Sequence, residues 1–133
     1  MIQMSDVLVG DIMIKNVRTV GPEDKIALAR RKMLRHGVGG LPVVKEDNTL
    51  MGIITLRDIS FTGTMGDIMT LAVKDLMTKN NLLTCSRDTS LTEIADIMIK
   101  TGIQRLPIVD NNGKLMGLVT QSVLIRAFRA LFK

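Results

Sequence analysis

Apolar positions along the chain fall into two alternating patterns. Leu91, Ile94, Ala95 and Met98 recur three and four residues apart, the stripe of one helix face. Ser90-Leu91-Thr92-Glu93 ahead of it is a capping box, with Ser90 as cap and Glu93 reaching back, and Gly102 offers the left-handed residue that ends a helix. Leu106 to Val109 is a short apolar run with β-branched residues and reads as a buried strand. Asp110-Asn111-Asn112-Gly113 is a turn, and Leu115 to Val119 is the next strand. A second helix is predicted from Gln121 to Phe132, with Leu124, Phe128 and Leu131 on one face, and an earlier strand from Leu83 to Cys85.

The same order occurs once before. Gly37-Val38-Gly39-Gly40-Leu41-Pro42-Val43-Val44 matches Gly102-Ile103-Gln104-Arg105-Leu106-Pro107-Ile108-Val109. At the same offset Leu50-Met51-Gly52-Ile53-Ile54-Thr55 matches Leu115-Met116-Gly117-Leu118-Val119-Thr120. Upstream, Asp11-Ile12-Met13 matches Asp75-Leu76-Met77 with one residue gained or lost between. In the first copy Pro22, Glu23 and Asp24 are expected to open the helix carrying Ile26, Ala29, Arg30 and Met33, and Gly37 to end it. Each copy is a strand–helix–strand–strand–helix unit with a short helix before it. A unit this small buries too little surface alone, so two must pack together. The expected organisation is repeat one over 5–61, a linker over 62–68 and repeat two over 69–133.

Composition narrows the class. The 133 residues are 46% hydrophobic and 23% charged, as in an ordinary globular domain. The apolar runs fall far short of the ~20 residues of a membrane span, and the N-terminus lacks the pattern of a signal peptide. The single cysteine, Cys85, excludes an internal disulfide and fits a reducing compartment, so the expected location is cytoplasmic. Net charge +5 favours anionic partners, but three Phe and no Trp or Tyr give little for a nucleic-acid stacking platform. Ten methionines read as core fillers.

The Gly-x-x-x-Leu-Pro-Val-Val and Met-Gly-Ile-Ile-Thr-x-x-Asp elements, in order and in both copies, resemble the CBS domain. The resemblance covers nearly the whole chain and implies an α/β fold of two pseudo-symmetric β-α-β-β-α repeats packed as one module. It further implies two related clefts between the repeats, a ligand such as AMP, ADP, ATP or S-adenosylmethionine, a homodimer, and regulation of another protein.

Thr55-Leu56-Arg57-Asp58 is the sharpest local motif. Its spacing is that of a capping box. In the family, a hydroxyl and a carboxylate so placed contact phosphate or ribose, and a helix N-terminus there would favour an anion. From the residues both readings stand. In copy two Thr120 matches Thr55, but Val123 replaces Asp58 and cannot accept a ribose hydroxyl. The resemblance assembles cleft one from Gly39, Gly40, Ile53, Thr55 and Asp58 with Ser86, Ile103 and Gln104, the two isoleucines flanking a purine. Cleft two takes Gly21, Val38, Gly39, Arg105, Leu118 and Thr120, with Arg105 as a phosphate clamp or a solvated surface charge. The ribose feature thus lies in one cleft and the phosphate feature in the other.

The remaining chemistry is sparse. Gly52 and Gly117, inside strands, fit close approach by another backbone or by a ligand, with packing the preferred reading. His36, the only histidine, sits at a helix end that suits a cation, and no ligand cluster points to a metal. Cys85 reads as core or cleft lining. Arg126, Arg129 and Lys133 suit the end of the last helix. No P-loop, Ser-His-Asp set or HExxH pattern supports catalysis or a catalytic cofactor. The expected function is a non-enzymatic sensor of an adenosine ligand. A dimeric scaffold for a partner protein is the alternative, and nucleic-acid binding a distant third.

Overall fold

The computed structural model describes residues 2–61 and 65–132. The chain forms two compact units, Arg18–Leu82 and a second made of the residues before Arg18 together with those from Leu83 onward. Repeats along the sequence and units in space are therefore cut differently. The short segment leading into each copy packs with the other copy's elements: Val9 and Met13 join the core of the second copy, and Val73 joins the core of the first.

In the first unit, α1 (Ile26–His36) is followed by β1 (Gly40–Val44), β2 (Leu50–Thr55) and α2 (Leu56–Ser60), then α3 (Met65–Thr70) and α4 (Val73–Leu76). Ile26, Ala29 and Met33 form the buried stripe of α1, and Gly37 ends it at φ 64°. Pro22 does not open this helix. Gly21 donates its N–H to Asp24 Oδ2 at 2.7 Å, which folds residues 21–24 into a turn ahead of it. The helix begins at Ile26, whose N–H is taken by the Leu71 carbonyl at 3.1 Å. The first-copy second helix is five residues long, and of the expected linker, 62–64 lie outside the described residues while Met65 already opens α3.

The second unit repeats the plan with α5 (Leu91–Thr101), β3 (Arg105–Val109), β4 (Leu115–Thr120) and α6 (Gln121–Leu131). Ser90 Oγ accepts from the Glu93 N–H at 3.2 Å, which is the forward half of the expected capping box. The first strand of each repeat shrinks to one residue. Val20 bridges β1 through Val43, and Cys85 bridges β3 through Ile108, both in parallel. The predicted Leu83–Cys85 strand is thus a single bridge.

Each hairpin is antiparallel with a bulge at the same place, between Val43 and Val44 and between Ile108 and Val109. The residue left over opposite is Met51 in one ladder and Met116 in the other. On the outer edge the leader segments pair as well. Ile53 and Thr78 exchange backbone hydrogen bonds at 3.0 and 2.8 Å, and Ile14 and Leu118 do so at 2.9 and 3.0 Å. Those crossings explain the strand glycines. A Cβ on Gly52 would stand 2.6 Å from the Thr78 carbonyl oxygen, and one on Gly117 would stand 2.9 Å from that of Ile14 and 2.5 Å from Met13 Sδ. The glycines are there for backbone approach, as their strand-interior placement suggested.

Candidate functional site

The β2–α2 turn of the first unit holds the polar pair. Thr55 is extended, at φ −123° and ψ 163°, and caps α2. Its Oγ1 accepts from the Asp58 N–H at 3.2 Å, and Asp58 Oδ2 accepts from the Thr55 N–H at 2.9 Å. The capping box is therefore real, and it leaves chemistry spare. The Thr55 hydroxyl keeps its proton to donate, and Asp58 Oδ1 takes no hydrogen bond from the described residues. Both side chains are half-buried, so a ligand can reach them. Gly40 pairs with Thr55 in the ladder, and the Gly39 carbonyl accepts from the Leu56 N–H at 2.9 Å, which brings both glycines beside the turn. Ile53 is only 9% exposed and its backbone is committed to Thr78, so it offers little face from this unit. Gly21 lies in the turn before α1, and Val38 is exposed just past its end.

The second unit carries the remaining residues on equivalent ground. Thr120 caps α6 by accepting from the Val123 N–H at 3.1 Å. Val123, where a carboxylate would stand, packs against the apolar core. The same turn thus closes without an acid. Arg105 pairs with Thr120 in the ladder and is half-buried, and burial pulls its pKa down from the ordinary arginine value. Among the described residues it has no ion-pair partner, the one such pair being Lys74–Glu23. Leu118 is almost buried and bonded to Ile14.

Ile103 and Gln104 are held by Gln121, a residue that no sequence motif marks. Gln121 donates its backbone N–H to the Gln104 carbonyl at 3.1 Å and its Nε2 to the Ile103 carbonyl at 3.2 Å. The only signal for it in the sequence is its place directly after Thr120. Ser86 is exposed and turned inward on its own loop, accepting from the Asp88 N–H at 3.3 Å.

Other titratable groups lie apart. His36 is exposed at the end of α1, with its pKa below 6.5. Partial loss of hydration comes first among the causes, then repulsion by Arg18, Arg35 and Lys32. The side chain is open to water and loses little hydration, so the repulsion by these cations is the acting cause. Cys85 is half-buried, and burial raises its thiol pKa. Arg126 and Arg129 are exposed on α6, and Lys133 lies outside the described residues. Among the described residues no His, Cys, Asp and Glu cluster could hold a metal, and no helix is long and apolar enough to cross a membrane.

The chain is built of two tandem α/β units, each with a capped strand-to-helix turn beside a glycine or arginine on the neighbouring strand. The CBS-domain profile matches residues 9–61 and 73–130, and the chain belongs to that family. An inosine-5'-monophosphate dehydrogenase of Thermoplasma acidophilum is 36% identical over 114 residues, 86% of this chain but 22% of that enzyme's length. The chain thus spans about a fifth of that relative. CBSX2 from Arabidopsis thaliana, solved in complex with AMP, superposes with TM-score 0.83 at 29% identity, covering 95% of this chain and 98% of that one. The CBS domain pair of protein MJ0100, in complex with 5-methylthioadenosine and S-adenosyl-L-methionine, superposes with TM-score 0.82 at 30% identity, covering 94% and 98%. The α/β fold of two CBS repeats is thereby established.

Proposed function

We propose that the chain is a regulatory sensor of an adenosine-bearing ligand, AMP, ADP, ATP or S-adenosylmethionine, with Asp58 as the ribose contact. The observation that carries this is the comparison between its own two turns. Thr120 caps α6 with valine at the acidic position, so Asp58 is not required to form the turn. It nonetheless holds a half-buried carboxylate with one oxygen unengaged among the described residues, beside a hydroxyl still able to donate. A vicinal diol is what such a pair would bind. The AMP and S-adenosylmethionine complexes of similar proteins support the ligand class. Arg105, half-buried without a carboxylate partner among the described residues, is proposed as a phosphate contact. The ligand would report to a partner protein, in the cytoplasm, and the chain's own role is binding rather than catalysis.

Isothermal titration with AMP and with 2'-deoxy-AMP tests the assignment. Wild type should favour AMP. Asp58→Ala should bind AMP about 10-fold or more weakly, the size of one hydrogen bond to a charged group, and should lose the preference for the 2'-hydroxyl. Undiminished discrimination in the variant would remove Asp58 from the site, and no heat with any of the four ligands would remove the sensor reading.

A further inference from the structure

The end of α1 carries charge that the fold does not require. Lys32 and His36 stand four residues apart on one flank of the helix, with Arg35 beside them. Lys32 Nζ donates to the Thr19 carbonyl at 2.8 Å, which brings the preceding residue, Arg18, to the same flank. Arg18, Arg35 and His36 are exposed, and Lys32 is half-buried. Helix α1 has no carboxylate, and among the described residues none of the four is ion-paired, the one such pair being Lys74–Glu23.

The second unit shows that the repeat folds without this cluster. At the equivalent positions stand Leu83, Ile97, Lys100 and Thr101. Ile97 packs against the core there, and α5 spans 11 residues as α1 does. The helix dipole accounts for cations in the last turn, Arg35 and His36, but not for Arg18, which is off the helix. The cations also act against one another. Beyond a slight loss of hydration, the groups that lower the His36 pKa are Arg18 from the segment before Val20 and Arg35 and Lys32 from its own helix, and no carboxylate is among them. Like charges held together without a counter-charge are a standing cost that a bound anion removes.

We propose that Arg18, Lys32, Arg35 and His36 form a binding site for an oligophosphate chain. Side chains one helical turn apart are separated by about 5–6 Å, too far for one small oxyanion to meet all four. Linked phosphates carry charge on every unit and span that distance, and guanidinium forks grip their oxygens in pairs. Binding draws a proton onto His36, because an anion beside the imidazole favours its charged form. None of the four residues belongs to the clefts described above, so the inference stands or falls separately from the adenosine reading.

The single histidine lets the site report on itself. The imidazole resonance of the full chain is titrated in sodium tripolyphosphate and, at equal ionic strength, in sodium chloride and in sodium citrate. Tripolyphosphate should raise the midpoint by about 0.5 or more above its chloride value, the effect of a nearby opposite charge on an exposed group. Isothermal titration with tripolyphosphate then reads affinity. Arg18→Gln and Lys32→Gln should each weaken binding about threefold, the scale of an exposed ion pair. Lys100→Gln, which removes the same charge at the position in the second unit equivalent to Arg35, should leave it unchanged. A midpoint that moves no further than in chloride, an equal rise in citrate, or a loss in Lys100→Gln as large as in Arg18→Gln would each overturn the proposal. Lys32 also tethers Thr19, so far-UV circular dichroism checks that Lys32→Gln is folded; should it unfold, the exposed Arg18 carries the test alone.

Discussion

Replacing Gly52 with alanine puts a methyl group where the backbone of Thr78 already stands. The added Cβ would lie 2.6 Å from the Thr78 carbonyl oxygen, against 3.1 Å to the more pliant Met77 sulfur. Relief requires the leader strand to retreat, which strains the two Ile53–Thr78 hydrogen bonds of 3.0 and 2.8 Å. Overpacking costs about 1–3 kcal/mol, and each weakened backbone bond up to about 0.5–1.5 kcal/mol. The lower entropy of the unfolded alanine chain offsets about 0.4–1 kcal/mol. The expected net loss is about 1–5 kcal/mol, a large part of a domain's ordinary stability of about 5–15 kcal/mol. Urea unfolding followed by circular dichroism suits a chain without Trp or Tyr. Gly21→Ala is the control, because its Cβ would meet nothing closer than Asp24 Oδ2 at 3.5 Å and its φ is not positive. That variant should stay within about 1 kcal/mol of wild type. A Gly52→Ala midpoint no lower than that of Gly21→Ala would refute the close-approach argument.

Two further expectations follow from charge and burial. The single histidine gives one assignable imidazole resonance, whose titration midpoint should lie below 6.5 and rise in Arg18→Ala or in high salt. A depressed histidine pKa favours the neutral ring in the folded state, so its contribution to stability is complete above about pH 6.5 and is lost as pH falls through the folded midpoint. Cys85, with its pKa raised by burial, should react with iodoacetamide near neutral pH more slowly than a free small thiol and should equalise in urea; equal rates before and after unfolding would contradict the burial.

Much of the fold could be read from local signals. Gly37 and Gly102 end their helices in the left-handed conformation because only glycine adopts it cheaply, and that requirement is visible in the residue itself. The paired strands follow from short apolar runs around a turn. The strand preceding each first helix did not survive as one, because Val20 and Cys85 each find a single partner residue along a neighbouring strand. Pro22 looked like a helix opener, yet the Asp24 carboxylate drew the Gly21 N–H into a turn and the helix started later. Which copy each leader joins depends on Met13 meeting Gly117 and Met77 meeting Gly52, contacts far apart in sequence for the first pair and reversed from the order of the repeats. Thr55 and Asp58 were legible as a motif, but whether a capping box left an oxygen free was a matter of geometry. Gln121 carried no pattern that would single it out, since its role comes from two carbonyls on the preceding strand-entry loop.

The exchange of leaders also sets an order of events as the chain emerges during synthesis. The unit Arg18–Leu82 is one uninterrupted stretch and has every residue of its core once Val73 and Thr78 have appeared. The segment carrying Val9 and Met13 is made before that unit yet must wait, because the surface it covers, at Gly117 and Leu118, is made after it. The segment before Arg18 and the β3–β4 hairpin are thereby joined late, and a chain cut short before β4 would leave Met13 and Ile14 without a strand to join.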